Sequence, residues 1–505
     1  MTKVNNKNLL AYIDIRDDRR CYNFEIFNLS TQKELPYQEV TNLLKFFEKP
    51  PKFVKNNVKA IIVNANGFLT KDGMDYAMCQ IVADKLTKLE IPFRFISIQE
   101  IVAMCKLIAG KIDPKVDKEI IQIFVAGEIF KIIHLTRTKN GYRTVQTRVI
   151  EKCYEPKILL GNLKPNKIII SNSHPFFPSA KVHVLQHCLS SWNPIILEHH
   201  VRKYNFDAMQ EIVKHINDKT KNDFHIIPET FNPFCVTFVE LNPTESDILN
   251  VLSAKYEDDL PLRKSCILPK FYKKFFITTK SKEGYSYLKN SLAIPTDLHC
   301  HRIKLIFKVD INHLPSLQYE PVYLPQITGF QKTLKSEETQ ELPIIGFFDN
   351  SSVIYIWDEK NSCYKFLNAW NGKYGKELFL DFLQKDKPVL VSSLTELQSL
   401  KGAVYDLINV MSFDPKNIKD DPKWKFSILK NDENHPILLE FDDFDNTRKA
   451  ASPAFLMAFM LKTHIKAITA ETEKKPKKLR FCIFDEKYDC DAKKRIQNCL
   501  QQALN

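Results

Sequence analysis

Along this chain apolar residues recur in two rhythms. One is the alternation or short continuous run of strands, the other the three-to-four-residue spacing of helices. The stretch Leu9-Leu-Ala-Tyr-Ile-Asp-Ile15 predicts a strand, a helix is expected around Tyr37 to Phe47, and the Lys/Pro-rich stretch Lys49 to Asn57 reads as a loop. A buried-type strand follows at Lys59-Ala-Ile-Ile-Val63. Residues 70–89 show helical spacing through Met74, Ala77, Met78, Ile81, Val82 and Lys85, and that helix must end before Pro92. With further strands at Phe93–Ser97 and Glu119–Val125, the alternation implies helices layered on a mixed sheet.

The texture changes from about Phe231 to Pro325. Short alternating strands such as Lys274–Thr279 and Arg302–Val309 follow one another with little helical period, which predicts a compact β unit. The polar stretch Lys332–Glu341 reads as linker. Strands then return at Pro343–Phe348 and Val353–Trp357. Near the end come a helix around Ala454 to Lys466, the loop Lys474-Lys-Pro-Lys-Lys478, a strand Leu479–Phe484 and a helix from Ala492. The order of strand, helix, Lys/Pro loop, buried strand and helix repeats that of residues 9 to 86. Laid without gaps, 63–83 and 483–503 share only Cys79/Cys499 and Ala83/Ala503, so the repeat is one of pattern.

A chain of 505 residues is too long for one ordinary core, so two to four domains are expected. Apolar residues at 44% against 26% charged exclude global disorder. Glycine changes the picture more. Average usage of roughly 7% would give about 35 glycines, and the chain has 12, none adjacent to another. Loops that cradle phosphate need glycine where backbone closes on an anion, so an ordinary mononucleotide site is disfavoured. The net charge of +13 is spread rather than gathered into an arm, which makes nucleic acid a weak expectation as partner. No apolar run reaches the roughly 18–20 residues of a membrane span, and no secretory signal precedes the first strand. Twelve scattered cysteines with no Cys-x-x-Cys pair fit reduced thiols in the cytoplasm or nucleus.

Several segments, in series, resemble the heat-shock-seventy (DnaK-type) chaperone family. Ile345-Gly-Phe-Phe-Asp-Asn-Ser-Ser-Val-Ile-Tyr-Ile-Trp357 resembles its opening strand, phosphate loop and return strand; Phe366–Lys373, Ala403–Val410 and Trp424–Phe426 continue in the family's order. Residues 58–110 resemble its later strand-helix unit, and Ile168–Val182 its second adenosine-contacting turn and helix. Val236–Pro243 is similar to the interdomain linker and first β strand, Leu260–Ser265 to the start of the peptide-binding sandwich, and Ile294-Pro295 with Ile303–Asp310 to its later strands. The resemblance implies α/β actin-like (ribonuclease H-like) nucleotide-domain remnants flanking a β-sandwich substrate-binding-like domain. Its units would be 1–222, 223–326, a linker 327–342, and 343–505. The order begins in the middle of the family's nucleotide-domain pattern. A trimmed tandem array, a permuted molecule whose last part docks on its first, and an incomplete gene would each give it.

The family's nucleotide chemistry does not carry over. It implies two glycine-bearing hairpins, carboxylates holding hydrated Mg²⁺, and a lysine beside the γ-phosphate. Phe348 stands at the carboxylate position, Asn350 at the glycine, and Asp349 is one residue out of register, which on a strand turns a side chain to the other face. Ile408 stands at the lysine position. In the second hairpin Val125 replaces the acid and Gly127 is alone, and Ser171 and Asn172 replace paired glycines in the adenosine turn. Neither ATP nor Mg²⁺ is therefore expected as a cofactor, and a pseudo-ATPase is the leading expectation. An ATPase with unfamiliar ligands and a basic RNA-associated scaffold are the alternatives. Expected partners are peptide or protein clients and co-chaperone-like proteins, with no membrane.

The β unit holds the best binding candidate. In the family a cleft takes an extended apolar segment, and Leu268 and Phe276 are the nearest matches to its lining, although both could simply fill the core. His183-x-x-x-His187 beside Cys188, and His299-Cys-His301, have metal-ligand spacing without a full ligand set, so ordinary helix and loop are the default readings. Lys474–Lys478 resembles an import signal, but the first copy has a similar loop, so a solvated connection is expected. The stripe Phe455, Met457, Phe459 and Met460 reads as core.

Overall fold

The computed structural model describes residues 7–15, 22–70, 73–151, 153–172, 180–197, 199–231, 233–238, 249–281, 284–334, 340–385, 387–393, 396–397, 399–415, 418, 421, 424–429 and 437–505. They form a mixed α/β structure in which three of the described sheets combine parallel and antiparallel neighbours and the others are antiparallel. In the first sheet β1 (Leu9–Ile15), β2 (Tyr22–Asn28) and β3 (Lys33–Val40) make an antiparallel meander. On the other side of β1, β4 (Val58–Asn64) and then β5 (Phe93–Ile96) add in parallel, giving the order β3-β2-β1-β4-β5. The second sheet repeats this wiring with β6 (Glu119–Ala126), β7 (Ile129–Thr138), β8 (Gly141–Glu151), β9 (Lys167–Asn172) and β10 (Ile195–Ile196), in the order β8-β7-β6-β9-β10.

The expected helix over Tyr37–Phe47 is corrected by this sheet. The chain stays extended through Val40, and a helix runs only over Leu43–Glu48, where the Asn42 side chain accepts from the Lys45 amide at 2.9 Å. The Lys/Pro stretch is not a plain loop either. Pro51 leads into a one-and-a-half-turn helix, Lys52–Asn57, with Val54 buried; a proline ahead of a helix loses no bond the helix needs. α1 (Tyr76–Lys88) starts later than its apolar spacing suggests, because Leu69–Thr70 and Gly73–Met74 pair as a small hairpin and Asp75 caps the Met78 amide. α2 (Ile98–Ala109) begins with a reciprocal cap between Ser97 and Glu100. In the second unit α3 (Ala180–Cys188) follows β9, and α4 (Asn205–Asn217) closes the region.

The continuous apolar run of β1 is explained by burial on both faces. Leu10 and Tyr12 join Ile120, Ile133 and Ile169 of the second sheet in a core that includes α2 and α4, while Ala11 and Ile13 join the core on the opposite face.

The β unit consists of two sheets. β11 (Phe234–Phe238), β12 (Leu249–Ala254), β14 (Lys274–Ser281) and β15 (Gly284–Ala293) form one, in the order β12-β11-β14-β15. The other is β13 (Leu262–Pro269), β16 (Arg302–Val309) and β17 (Pro315–Val322), in the order β13-β16-β17. Val236, Phe275 and Ile277 from the first share a buried cluster with Ile303, Leu305 and Phe307 from the second. Residues 239–248, which include the second half of the stretch compared with an interdomain linker and first strand, lie outside the described residues. The segment 327–342 does not start as an irregular linker: α5 (Pro325–Thr333) occupies its beginning, with Ile327 fully buried, while 335–339 are not among the described residues.

The third sheet has β18 (Ile344–Phe348), β19 (Ser351–Asp358) and β20 (Cys363–Phe366) as its meander and β21 (Arg480–Ile483) parallel to β18, in the order β20-β19-β18-β21. Two small sheets over 379–404 and 427–451 are inserted before α6 (Pro453–Thr472), and α7 (Cys490–Leu504) ends the chain. The repeat seen between the first and last parts is present as sheet wiring, with a further copy at 119–196. The ungapped alignment is not kept: α1 is capped eleven residues after the last residue of β4 and α7 six after that of β21, as 75 − 64 and 489 − 483 show.

Candidate functional site

The β18–β19 turn is where the resemblance places a phosphate loop. Phe348 ends β18 fully buried, with its ring 5.4 Å from that of His301 on the β unit. Asp349 takes the left-handed conformation at φ 47°. Its carboxylate accepts from Arg302 Nε at 2.7 Å and Nη2 at 3.0 Å, a bidentate pair. Arg302 Nη2 also reaches Asp485 Oδ1 at 2.6 Å, and Asp485 Oδ2 accepts from the Asp349 amide at 2.8 Å. Burial, then the neighbouring Asp349 charge, pushes the Asp485 carboxyl up, and Arg302 opposes this.

Asn350 is buried. Its Oδ1 accepts from the Asp406 amide at 2.7 Å, and its Nδ2 has no partner among the described residues. Asp406 accepts from Trp424 Nε1 and Asn409 Nδ2, and burial pushes it up to about 6. Ile408 is buried two residues on, so the structure brings Phe348, Asn350 and the segment of Ile408 together. The turn is closed by side chains of its own protein. From the β unit, Lys270 Nζ donates to the Tyr374 and Gly375 carbonyls at 2.8 and 3.0 Å, and burial lowers its pKa to about 8. His301 donates from Nε2 to Lys373 O at 2.7 Å and accepts from the Leu324 amide on Nδ1 at 2.9 Å, which sets its neutral tautomer.

The second group of expected positions lies in the second sheet. Val125 is buried in its core, Gly127 sits at φ 59° in the β6–β7 turn, Ser171 is buried on β9, and Asn172 is the register partner of Val125. Lys181, in the first turn of α3, donates to the Gly127 carbonyl at 2.7 Å and pairs with Glu128. This turn too is occupied by a side chain of the protein. Residues 173–179 of the adenosine-type turn are outside the described residues.

Strand register exposes a position the sequence reading missed. In parallel pairing, the strand ends match Asp14 to Asn64 in the first sheet, Val125 to Asn172 in the second, and Phe348 to Phe484 in the third, by extending the registers Ile13/Val63 and Phe347/Ile483 one step. Asp14 is the one carboxylate of the three, and it accepts from Asn64 Nδ2 at 2.6 Å. The signal available was the strand Leu9–Ile15 followed by a second strand, the same hairpin pattern used at 344–358.

Leu268 and Phe276 are on different sheets of the β unit. Leu268 on β13 packs against the core, whereas Phe276 on β14 lies between the buried Phe275 and Ile277 and so faces outward, its ring 5.7 Å from that of Tyr287 and beneath Lys274. His183 and His187 are exposed on α3, and among the described residues no group of three or more His, Cys, Asp or Glu side chains is arranged to hold a metal. Lys474–Lys478 is a solvated connection apart from half-buried Pro476. Of the α6 stripe, Met457 and Met460 are core and Phe455 is exposed. No described helix is long and apolar enough to cross a membrane.

The first sheet meets the β unit around Arg94, a fully buried guanidinium on β5. It pairs with Glu100 at 3.2 Å and donates to the Ile311 carbonyl of the β unit, whose Asn312 side chain accepts from the Phe95 amide at 3.0 Å. Beside it a cleft of about 510 Å³ is lined by Asn66, Gln99, Lys131, Thr144, Glu229 and Glu257, among others. Burial and the Glu257 and Asp259 charges push Glu229 up to about 7. The strap before β11 is zipped to β8, with the Tyr142 amide donating to His225 O and the Ile227 amide to Tyr142 O. No family model matches the chain, and no curated protein matches it.

Proposed function

We propose that the chain is a heat-shock-seventy-like pseudo-ATPase, a non-cycling scaffold in which actin-like (ribonuclease H-like) units, 1–222 and 343–505, flank a β-sandwich at 223–326 that binds peptide or protein segments. The strand order common to three sheets supports the fold reading. The observation that carries the functional reading is the filling of both turns. Arg302 neutralises Asp349 in one and Lys181 occupies the other. Val125 and Phe348, both apolar, stand at the strand ends where the family's carboxylates would hold hydrated magnesium. These residues do not fit Mg²⁺-ATP.

Isothermal titration of the full chain with Mg²⁺-ATP tests this: no saturable heat is expected, and a micromolar affinity overturns the pseudo-ATPase. Asp14 is the observation that favours the second reading, an ATP-binding member with unfamiliar ligands; in that case Asp14→Asn abolishes the titration. For the binding role, Phe276→Glu is the informative change, because Phe276 lies outside the core that Leu268 helps fill. Loss of capture of a reduced, unfolded client by Phe276→Glu, with unchanged melting, is expected, and unchanged capture refutes a role for this face.

A further inference from the structure

The cleft of about 510 Å³ beside Arg94 carries opposite charges at its two ends. Its floor is one face of β6, β7 and β8, where cross-strand pairing sets Leu135 beside Thr144, Ile133 beside Thr147, and Lys131 beside Phe124. One wall is α2, with Gln99 and Ala103, and the other is the strap 226–231 together with Tyr256 and Glu257. Leu135 and Lys131 are four residues apart on β7, so the Thr144 row and the Lys131 row are separated by about 13 Å at roughly 3.4 Å per residue.

Neither end is neutralised from within. At the first, the Thr144 hydroxyl donates to the Glu229 carboxylate, and the neighbouring Glu257 charge raises the Glu229 pKa further than burial alone. Neither glutamate has an ion pair among the described residues. The other acids nearby are taken: Asp259 pairs with Arg143, and Glu100 with Arg94 at 3.2 Å. At the far end Lys131 is half-buried and, among the described residues, unpaired. Lys106 of α2 is buried with its Nζ 5.1 Å from the centre of the Phe124 ring, and it too has no carboxylate or hydrogen-bond partner there. Burial, then the Lys131 charge, lowers its pKa to about 7. Two ammonium groups in a poorly solvated place without a counter-charge favour any anion that enters.

We propose that this cleft binds a short extended peptide with free ends, its terminal ammonium between Glu229 and Glu257 and its terminal carboxylate at Lys131 and Lys106. Three extended residues span about 10 Å, and the reach of the side chains at each end covers the remainder. The volume is that of a small-molecule site. Charge at both ends sets the selectivity: a polyanion meets Glu229 and Glu257, a polyamine meets the two lysines, and only a zwitterion of this length satisfies both. The site is separate from the outward face that carries Phe276 and from the two filled turns.

Calorimetric titration of the full chain with trialanine tests this. Saturable binding is expected, with N-acetyl-trialanine, trialanine amide and dialanine each weaker by at least about tenfold. Two variants assign the ends. Lys131→Met keeps the apolar stem and should lose most of the preference for the free carboxylate while still rejecting the acetylated peptide. Glu229→Gln should lose most of the preference for the free amine while still rejecting the amide. Each variant thus drops one preference and keeps the other, a pattern that unfolding does not produce. Absence of saturation at millimolar trialanine, equal binding of free and blocked peptides, or retention of both preferences by both variants overturns the proposal.

Discussion

Arg302→Ala removes the guanidinium that bridges Asp349 and Asp485. The arginine side chain is 26% exposed and that of Asp485 is 3% exposed, so the substitution leaves two facing carboxylates in a largely desolvated place. Breaking a buried pair costs about 3–5 kcal/mol; discounted for the partial exposure of Arg302, about 2–3 kcal/mol is expected. For a cooperative unit of roughly 150–250 residues that lowers the melting midpoint by about 5–10 °C. Calorimetry of the full chain reads it as a shift of the transition that includes the third sheet. The pH dependence gives a second check. The folded-state pKa of Asp485 is raised, so its charged form is unfavourable above that value and the penalty fades as pH falls through it. The gap between Arg302→Ala and the unsubstituted protein should therefore narrow on acidification, and a second change, Asp485→Asn, should restore much of the loss. Equal melting of Arg302→Ala and the unsubstituted protein, or a gap that neither acid nor Asp485→Asn reduces, would refute this reasoning.

Three further outcomes are expected. His313 is buried under Phe231 with neither ring nitrogen paired among the described residues, and burial lowers its pKa to about 3. The unfolded state binds the proton more readily below pH 6.5, so stability falls as pH drops. His313→Phe should cut the loss between pH 7 and 5 by about 2 kcal/mol, measured by urea titration at both values. Gly375→Ala would place its Cβ 2.2 Å from Ser352 O at φ 67°, so destabilisation above about 2 kcal/mol is expected by thermal melting. Lys181→Ala removes a pair whose carboxylate partner is 68% exposed, so a change under about 1 kcal/mol is expected by denaturant titration.

Strand positions were legible where both faces of a strand are buried, as in β1, β4 and β18, because the apolar run is then unbroken. β3 was not: it is an edge strand, mostly exposed, and carries Pro36, which an edge tolerates, so its pattern looked helical or irregular. The middle copy of the sheet was invisible as a repeat, since strand pairing leaves residue identity free. Phe348, Asn350 and Ile408 could be placed together from a resemblance in order alone. Arg302 and Asp485 could not, because they are 183 residues apart in sequence and neither carries a local signal of its partner.

The same separation sets an order on synthesis. The β unit docks on the first sheet through Arg94 and Asn312 as soon as residue 312 is available, but its other side cannot close until Asp485 has left the ribosome. Until then Arg302 has Asp349 alone as its carboxylate partner, while Lys270 and His301 can already reach the carbonyls of residues 373–375. Arrest or truncation upstream of residue 485 would yield a chain whose first two sheets are complete and whose β unit is anchored on one side only, a species that protease mapping of stalled chains would distinguish from the finished protein.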